Sequence, residues 1–553
     1  MKKDVQEILI HALLPLLKEI GAEELSASDI QLDLPADVQF GDLSTNIAMR
    51  LASRLKKPPF QIATKLVELL RAHSSKNGLD ECIENIKVEG AGFINFYLSK
   101  VYLHNFLQGI LTEGSEYLRV NLGKGEHVLV EFVSANPTGP LSVAHARQAA
   151  VGDVLANIFN FLGYNAKREY YLNDEGNQIN ILGNSVFLRY QELIGKAVEF
   201  PEDHYQGEYI YDIAQKVRDL EHKTSAEEIK KLNFPEYAAD HILAIIKEEL
   251  IDFGVKFDYW TSQKALHTSG KIEKVLSLLK KNDFIYEQDG AEWFASTRFG
   301  DDKDRVVIKS DGSYTYLAPD IAYHQDKLHR KFKRLINLLG PDHHGYINRL
   351  KAAVAALGED PQCLSVVIVQ LASISREGKP VQMSTRRGQY ITLREVLDEV
   401  GMDAARFFFL MRRTSSHLDF DLAIAKKQTS ENPVYYVQYA YARIASILRN
   451  VSGEYKVASA DLDLLKEKEE LLLMKKIWQL RFILEACVKT IDPYLITVYL
   501  QELAESFHKF YDLHRVLTDN PELTSSRLSL IKAAQITLGA GFEILGVSRP
   551  DKM

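Results

Sequence analysis

The fold is decided by one segment, which reads Val130-Glu131-Phe132-Val133-Ser134-Ala135-Asn136-Pro137-Thr138-Gly139-Pro140-Leu141-Ser142-Val143-Ala144-His145. Residues 127–133 are mostly apolar and predict a buried parallel strand, and small residues at 144–161 predict a helix that packs closely on it. Nucleotide phosphates bind at such a crossing, because the first turn of a helix exposes unpaired N–H groups and the positive end of its dipole. Taken alone, the segment fits a capped core helix after a tight turn equally well.

This segment resembles the first signature of the class I aminoacyl-tRNA synthetases, written HIGH in its general form, as it occurs in arginyl-tRNA synthetases. Four further segments resemble stretches of that family and keep its order, namely residues 310–320, 340–346, 381–386 and 432–440. The likeness extends from about residue 30 to residue 553. It implies a monomeric arginine-tRNA ligase that uses ATP with Mg²⁺ and acts on L-arginine and tRNA(Arg).

The composition is that of a globular protein with several domains. A chain of 553 residues can hold three or four domains, and its 46% hydrophobic and 26% charged residues exclude a largely disordered chain. The sequence has neither an apolar run long enough to span a membrane nor a charged and then apolar leader, so we expect a cytoplasmic protein that does not contact a membrane. Cys82, Cys363 and Cys487 are far apart, so neither a disulfide framework nor a zinc site is expected.

We expect a multidomain α/β protein in which a class I Rossmann-like core carries a helical insertion, an N-terminal α+β domain and a C-terminal all-α bundle. Residues 1–115 combine helical periods with a glycine-led strand, and the family uses this domain at the corner of the tRNA; a cap that only stabilises the core is the alternative. Residues 116–400 alternate strands and helices, with an insertion at about 187–270 and with strands at 305–308, 334–339 and 364–370 that should complete the catalytic core. Residues 401–553 correspond to the family's anticodon-binding bundle.

The first signature is expected to hold the phosphates of ATP. By the resemblance, the arginine carboxylate attacks the α-phosphorus and expels pyrophosphate, so catalysis depends on positioning and on charge stabilisation. We expect His145 to act there with Ser142, and a helix-capping histidine is the alternative. The family's His-Val-Gly-His occurs here as Ser142-Val143-Ala144-His145, in which a hydroxyl replaces one imidazole. The expected ATP contacts in this segment are Ala135, Pro137, Gly139 and Ala144.

The second signature, KMSKS in its general form, occurs as Gln382-Met383-Ser384-Thr385-Arg386. The resemblance implies that Ser384 and Arg386 are catalytic and that Met383 contacts ATP. Both lysines of the motif are absent, so the cations over the triphosphate must come from Arg386 or from its neighbours Arg376, Lys379 and Arg387. Some family members that lack this motif carry a lysine shortly before the first signature, where this chain has Gly139.

Arginine needs planar acceptors that match its guanidinium group, and carboxylates provide the strongest match. The resemblance assigns Tyr316 and Asp320 to the guanidinium and Glu131, Ser134 and Asn136 to the α-ammonium and carboxylate end. Without the family context, Asp320 is more simply a helix-capping residue.

The remaining candidates lie in two further segments. The loop at 340–346 resembles the family loop that contacts the adenosine of ATP, through Gly340, Asp342 and His343. The alternative for these adjacent histidines is a metal site, which we disfavour because magnesium should arrive with ATP and no residue of this chain is expected to ligate a metal. In the helix near residues 434–449, Tyr435, Gln438, Tyr439 and Arg443 suit stacking on anticodon bases, and filling the bundle core is an equal alternative.

Two other functions compete with an arginine-tRNA ligase. A weakened paralogue that binds tRNA or arginine as a regulator would account for the missing histidine and lysines. Intact arginine-binding positions and a full set of domains argue against it. A class I ligase for another amino acid would need a pocket of different charge than Tyr316 and Asp320 provide.

Overall fold

The computed structural model describes residues 4–73, 78–221, 228–229, 231–376, 378–381, 390–451, 455 and 457–553. Its first part contains, in chain order, α1 (Val5–Glu19), β1 (Leu43–Thr45), α2 (Ile47–Leu55), α3 (Pro59–His73), α4 (Leu79–Cys82), β2 (Ile83–Glu89), β3 (Phe93–Leu98) and α5 (Lys100–Glu113). The strands form a three-stranded antiparallel sheet in the order β1-β3-β2. The strand β3 follows a turn in which Gly90 and Gly92 have φ of +55° and +122°. The predicted α+β region with a glycine-led strand is confirmed.

The middle of the chain contains β4 (His127–Glu131), α6 (Val143–Phe161), β5 (Asn165–Leu172), α7 (Asn177–Leu193), α8 (Glu208–Glu221), α9 (Phe234–Asp252), β6 (Tyr259–Ser262), α10 (Gln263–Thr268), α11 (Lys271–Lys281), β7 (Ile285–Gln288), β8 (Ala291–Phe294), β9 (Arg305–Ile308), α12 (Leu317–His329), β10 (Arg334–Leu339), α13 (Ile347–Ala356) and β11 (Leu364–Ile368). Five of these strands form a parallel sheet in the order β11-β10-β4-β5-β6. From β4 the chain first moves outward through β5 and β6 and later fills the other side with β10 and β11. The order therefore reverses between β4 and β10, and such a reversal leaves a ligand crevice beyond the carboxyl ends of the strands.

One prediction about this sheet was wrong, and one predicted strand lies outside it. The strand at 305–308 is present as β9, but it pairs with β8 in a separate antiparallel sheet of order β7-β8-β9. Conversely, β6 lies inside the predicted insertion at 187–270 yet pairs in parallel with β5 and forms an edge of the catalytic sheet. Its four residues carry too short a pattern to be distinguished from their helical surroundings.

The last part contains β12 (Ala372–Arg376), β13 (Lys379–Pro380), α14 (Leu393–Phe409), β14 (Leu418–Asp421), α15 (Leu422–Ala425), α16 (Pro433–Asn450), α17 (Lys468–Trp478), α18 (Leu480–Thr490), α19 (Tyr494–Leu513) and α20 (Pro521–Leu545). The strand β14 pairs with β12, so one small sheet crosses the predicted boundary at residue 400. Beyond it the described chain is helical, as predicted. Among the described helices, α20 alone is long and apolar enough to cross a membrane, but 83% of that window is buried inside the protein, as in a core helix.

Candidate active site

The chain leaves β4 through a strained turn. The strand ends at Glu131 rather than at residue 133, because Val133 and Ser134 have φ of +66° and +44°, in the left-handed region. A β-branched valine rarely adopts this conformation, and strain of this kind is found mainly at functional sites. As a result, the backbone N–H of Tyr171 in β5 donates to Ser134 Oγ over 3.1 Å. The turn thus brings the Ser134 side chain to the carboxyl edge of the sheet.

His145 lies in the first turn of α6, where the sequence predicts it, and Ser142 is the N-cap of this helix. The backbone N–H of Ser142 donates to Nδ1 of His145 over 3.2 Å, and Ser142 Oγ lies 3.1 Å from the same nitrogen. Because an N–H group can only donate, Nδ1 is the accepting nitrogen and the ring proton lies on Nε2. Burial lowers the pKa of His145 to about 4. At neutral pH the ring is therefore an uncharged hydrogen-bond donor.

Two tyrosines hold the turn that precedes α6. The hydroxyl of Tyr209 donates to the carbonyl oxygen of Thr138 over 2.8 Å, and the hydroxyl of Tyr390 donates to that of Pro140 over 2.9 Å. A Cβ on Gly139 would lie 3.0 Å from the hydroxyl oxygen of Tyr209 and 3.2 Å from that of Tyr390. A side chain at this position would therefore need one of these hydroxyls to move by a few tenths of an ångström.

A buried carboxyl group supports the same turn from α9. Oε2 of Glu249 accepts from the backbone N–H of Leu141 over 3.2 Å, and the side chain is 4% exposed. Burial raises the pKa of Glu249 to about 7, while the Leu141 hydrogen bond and the charge of Arg394 oppose that rise. Just before this turn, the carbonyl oxygen of Ala135 accepts from the hydroxyl of Tyr170 over 2.8 Å.

The second signature lies outside the described residues, and so do the predicted Met383, Ser384 and Arg386. The chain on its carboxyl side is joined to the first signature, because the backbone N–H of Leu393 donates to the carbonyl oxygen of Leu141 over 2.7 Å. On its amino side, Arg376 at the end of β12 forms an ion pair of 2.7 Å with Glu399 of α14. The candidate cation Arg376 is therefore already paired with a carboxylate.

Asp320 lies in the first turn of α12, which leads back to β10 and so begins at the carboxyl edge of the sheet. Its Oδ2 accepts from the hydroxyl of Tyr346 over 2.6 Å. Burial raises the pKa of Asp320 to about 7; the charge of Glu131 adds to this, and the Tyr346 hydrogen bond opposes it. Tyr316 lies one helical turn earlier but is 78% exposed, so the structure does not bring its side chain onto Asp320.

Glu131 is already part of a buried polar chain. Nζ of Lys327, which is fully buried, donates to Oε2 of Glu131 and, over 3.1 Å, to Oδ1 of Asn337. Asn337 Nδ2 in turn donates to Nε2 of His324 over 3.2 Å, and Nδ1 of His324 donates to the carbonyl oxygen of Asp320 over 2.8 Å. Burial, with the charge of Lys327, lowers the pKa of His324 to about 3, so this ring is neutral. This series of hydrogen-bonded side chains joins β4, β10 and α12 below the crevice.

The third predicted residue of the α-ammonium site also has a partner. Nδ2 of Asn136 donates to Oε1 of Gln178, at the start of α7, over 2.6 Å. With one N–H of its NH₂ group engaged, Asn136 can still offer the second N–H and its amide oxygen. Ser134 Oγ donates to Oε1 of Glu131 over 3.3 Å, so Glu131, Ser134 and Asn136 lie along one edge.

The loop after β10 closes the other side of the crevice. Residues Pro341–Tyr346 form a 3-10 helix, with Gly340 before it. A Cβ on Gly340 would lie 2.6 Å from Oδ1 of Asp342, so a larger residue there would only need the exposed Asp342 side chain to move. Asp342 and His343 are exposed, and Nε2 of His343 lies 3.4 Å from Oδ2 of Asp342. Within the described residues, no group of three or more His, Cys, Asp and Glu side chains could hold a metal ion.

Comparison with known proteins decides the family. Three family models match the chain: the arginyl tRNA synthetase N terminal domain at residues 2–98, the catalytic domain of class I tRNA synthetases (R) at 106–416 and the DALR anticodon binding domain at 437–553. A curated arginine–tRNA ligase of Geobacillus kaustophilus is 47% identical, over 100% of this chain and 98% of its own length. The chain belongs to the arginyl-tRNA synthetases. Nothing in these comparisons favours a weakened paralogue.

Solved structures agree with an arginyl-tRNA synthetase fold. A structure from Campylobacter jejuni described as an arginyl-tRNA synthetase is 37% identical, with a TM-score of 0.76, and covers 82% of this chain and 100% of that chain. The arginyl-tRNA synthetase of Thermus thermophilus shares the fold over 100% of both chains, with a TM-score of 0.78 at 22% identity. The predicted class I core with an N-terminal domain and a helical C-terminal domain is therefore confirmed.

The C-terminal domain of this synthetase separates the four predicted tRNA contacts into two groups. Gln438 is 8% exposed and donates to Asp403 of α14 over 2.9 Å, so it joins the bundle to the preceding helix. Tyr435 and Tyr439 lie parallel, with their ring centroids 6.3 Å apart. The guanidinium of Arg443 lies 5.2 Å from the ring centroid of Tyr439 and 4.7 Å from that of Tyr511.

A cavity of about 880 Å³ opens beside this aromatic stack. It lies between α16, the end of α19 and the carboxyl terminus, and its cationic lining consists of Arg443, Arg449, Arg515 and Lys552. Tyr439 and Tyr511 provide aromatic faces in the same wall. Of the predicted contacts, Tyr439 and Arg443 line this cavity, whereas Tyr435 and Gln438 do not.

Sequence reasoning missed three residues of the crevice in this synthetase. Tyr346 and Lys327, as described, contact Asp320 and Glu131, and Tyr171 stacks on Tyr323 with ring centroids 4.4 Å apart. Burial raises the pKa of Tyr171, and the negative charges of Asp320 and Glu131 add to the rise. Tyr171 lies at the carboxyl end of β5, and the rule that parallel strands end at one ligand-binding edge could have identified it.

Proposed function

We propose that this chain activates L-arginine with ATP to form arginyl-adenylate and then transfers the arginyl group to the 3′ end of tRNA(Arg). The observation that carries the proposal is the position of Asp320, a partly buried carboxyl group at the switch point of a class I sheet. A carboxylate shielded from water is the strongest partner for a guanidinium group. The charge of the pocket and the activity of the family therefore agree.

Arginine would lie between two sets of acceptors. Asp320 pairs with the guanidinium, and Tyr316 folds over it when the substrate is bound. Ser134, Asn136 and Glu131 hold the α-ammonium end and orient the carboxylate. Glu131 acts through Oε1, since Lys327 engages Oε2. Held in this way, a carboxylate oxygen of arginine attacks the α-phosphorus of ATP while the bond to the β-phosphate breaks.

Pyrophosphate carries the growing negative charge, and the first turn of α6 faces it in this proposal. The Nε2–H of neutral His145 and the N–H groups of that turn act as fixed donors, with Ser142 beside them. Ser384 and Arg386 act on the same phosphates from the second signature. The proposed ATP contacts are Ala135, Pro137, Gly139, Ala144, Gly340, Asp342, His343 and Met383.

Magnesium fits this site only with its substrate. No metal-binding cluster exists among the described residues, so we propose that Mg²⁺ enters on the ATP phosphates, whose charge it neutralises. We further propose a cytoplasmic monomer with domains at 1–115, 116–400 and 401–553. The burial of α20 supports the absence of a membrane anchor in the described chain.

We propose that the tRNA anticodon is bound at the cavity beside α16. The stacked pair Tyr435 and Tyr439 offers aromatic faces to unstacked bases, and Arg443 offers a cation next to them. The other arginines of the cavity would meet backbone phosphates. Gln438 contributes by fixing the helix that carries the stack rather than by touching RNA.

The direct test is tRNA-dependent pyrophosphate exchange and aminoacylation, with each of the protein amino acids in turn. We expect exchange and charging with arginine alone. Binding of arginine or tRNA without exchange would instead identify a regulator, and charging with another amino acid would refute the assignment of the pocket.

A further inference from the structure

Asp320 faces a mixture of charges that work against its ionisation. Glu131 at the end of β4 adds negative charge, and burial disfavours a charged carboxyl group; together they raise the pKa to about 7. Lys327 on the same helix and Arg349 of α13 oppose this rise by their positive charge. Tyr171 lies on the β5 side and His324 is neutral, so neither adds a cation.

Tyr346 supplies the direct hydrogen bond to this carboxylate. Its hydroxyl donates to Oδ2 of Asp320 over 2.6 Å. Within the described residues, no other side chain donates a hydrogen bond to this carboxyl group. The guanidinium of Arg349 lies 4.5 Å from the centroid of the Tyr346 ring and orients it. Tyr346 also ends the loop that follows β10. One hydroxyl therefore joins that loop to the pocket.

The hydrogen bond has two physical consequences. A donor to a carboxylate favours the ionised form, which is the form that pairs with a guanidinium. It also restricts the rotation of the carboxyl group, because Oδ2 is held, and it leaves Oδ1 as the oxygen that would accept from the guanidinium. A protonated Asp320 would instead offer an O–H donor, which suits a neutral urea oxygen better than a cation.

We propose that Tyr346 is a positioning residue that favours the ionised form of Asp320 and aligns its carboxylate, and so contributes to the selectivity of this pocket for the guanidinium cation over its neutral isostere citrulline. The inference rests on the proposed function, since it assumes that Asp320 receives the arginine side chain.

The test compares Tyr346→Phe with the wild-type full-length chain in aminoacylation of tRNA. The variant keeps the ring and its contact with Arg349. We expect the KM for arginine to rise about tenfold, with the kcat and the KM for ATP nearly unchanged, because a hydrogen bond to a charged group is lost. Inhibition by citrulline should strengthen relative to arginine binding. The matched control is Tyr286→Phe. Tyr286 lies on β7 of the separate β7-β8-β9 sheet, and its hydroxyl donates to Oδ2 of Asp304 over 2.9 Å, so this variant also removes a tyrosine donor to a carboxylate.

The pH profile separates this proposal from a purely structural contribution. In the wild type the KM for arginine should fall as pH rises through about 7, because Asp320 loses its proton. In Tyr346→Phe the midpoint should move upward by about one pH unit, since the donor that favours the ionised form is gone. Glu249 also titrates near this pH but supports the phosphate turn, so the KM for ATP is followed in parallel.

The possible results are distinguishable. If Asp320→Ala still saturates normally with arginine, the proposed pocket itself is wrong. If Asp320→Ala fails but Tyr346→Phe keeps the wild-type midpoint and citrulline ratio, only the present inference is overturned. If Tyr346→Phe does not fold, the KM of the wild type for arginine is measured at two pH values instead. A KM that is the same at about pH 6 and about pH 8 would overturn the proposal.

Discussion

The proposed arginine end and the proposed phosphate end of the crevice are lined by different kinds of polar group. The proposed arginine end is lined by ionisable side chains that are buried or half-buried and already hydrogen-bonded, with Glu131 held by Lys327 and Asp320 by Tyr346. The phosphate end offers neutral donors, since His145 has a pKa of about 4 and Ser142 replaces an imidazole. In the proposed function, specificity for a cation would depend on these carboxylates, whereas the described part of the phosphate end would act through dipoles. Its full charges would come from the second signature or from Mg²⁺ that arrives with ATP.

The largest effect is expected at the arginine end. Asp320→Ala should raise the KM for arginine by about two to three orders of magnitude and change ATP binding little, because breaking a buried ion pair costs about 3–5 kcal/mol. Asp320→Asn, which keeps the shape but not the charge, should behave similarly. Steady-state aminoacylation with arginine and ATP varied separately measures both. Near-normal arginine saturation in either variant would contradict the comparison.

The next effect is expected at the phosphate end. His145→Ala should slow adenylate formation by at least about 10²-fold, because one well-placed donor to developing charge is removed and the motif holds no second imidazole. Single-turnover adenylate formation in the presence of tRNA measures this directly. A harmless substitution would show that His145 is a structural cap and that the triphosphate lies elsewhere.

Local patterns in the sequence predicted much of this architecture. The bounds of α6 differ from the prediction by one residue, because its small residues and the N-cap at Ser142 are local signals. The sheet order and the place of β9 depend on pairing between distant strands, which no local pattern encodes.

The candidate site shows the same limit. The place of His145 in the first turn of α6 could be predicted, because the start of that helix is marked by a local pattern. The partners of the carboxylates could not, since Lys327 and Glu131 are 196 residues apart and Tyr346 and Asp320 are 26 apart. For Gln438 the sequence left RNA contact and a place in the bundle core as equal alternatives, and its burial with a hydrogen bond to Asp403 fits the second. Chemical type alone does not distinguish an exposed amide from a buried one.

A smaller effect is expected where the insertion supports the phosphate turn. The pKa of Glu249 is raised from 4.5 to about 7, so the folded chain loses stability as pH rises between these values, when the unfolded chain has already released the proton. Glu249→Gln removes this cost while keeping an acceptor for the Leu141 N–H. We expect the variant to be more stable by about 1–3 kcal/mol at about pH 8 and unchanged at about pH 4. Thermal unfolding at the two pH values tests this, and equal shifts at both would contradict it.

The smallest effect concerns Ser142, where this chain departs from its family. Ser142→His would add an imidazole donor near the phosphates. His145 should keep its orientation, because the backbone N–H of residue 142, and not only the hydroxyl, donates to its Nδ1. Donors of this kind act mainly in the transition state, so kcat for adenylate formation should rise while the Kd for ATP changes less.

The gain from Ser142→His alone should be only a few-fold, because the serine hydroxyl that it replaces can itself donate one hydrogen bond. Adding Ala144→Gly should enlarge the gain, because it removes a methyl group beside the new ring. Single-turnover adenylate formation with tRNA, for the wild type, both single variants and the double variant, separates these contributions. A slower Ser142→His enzyme would mean that the phosphate end has adapted to serine, and that its neutral character is a property of this site rather than a deficit relative to the arginine end.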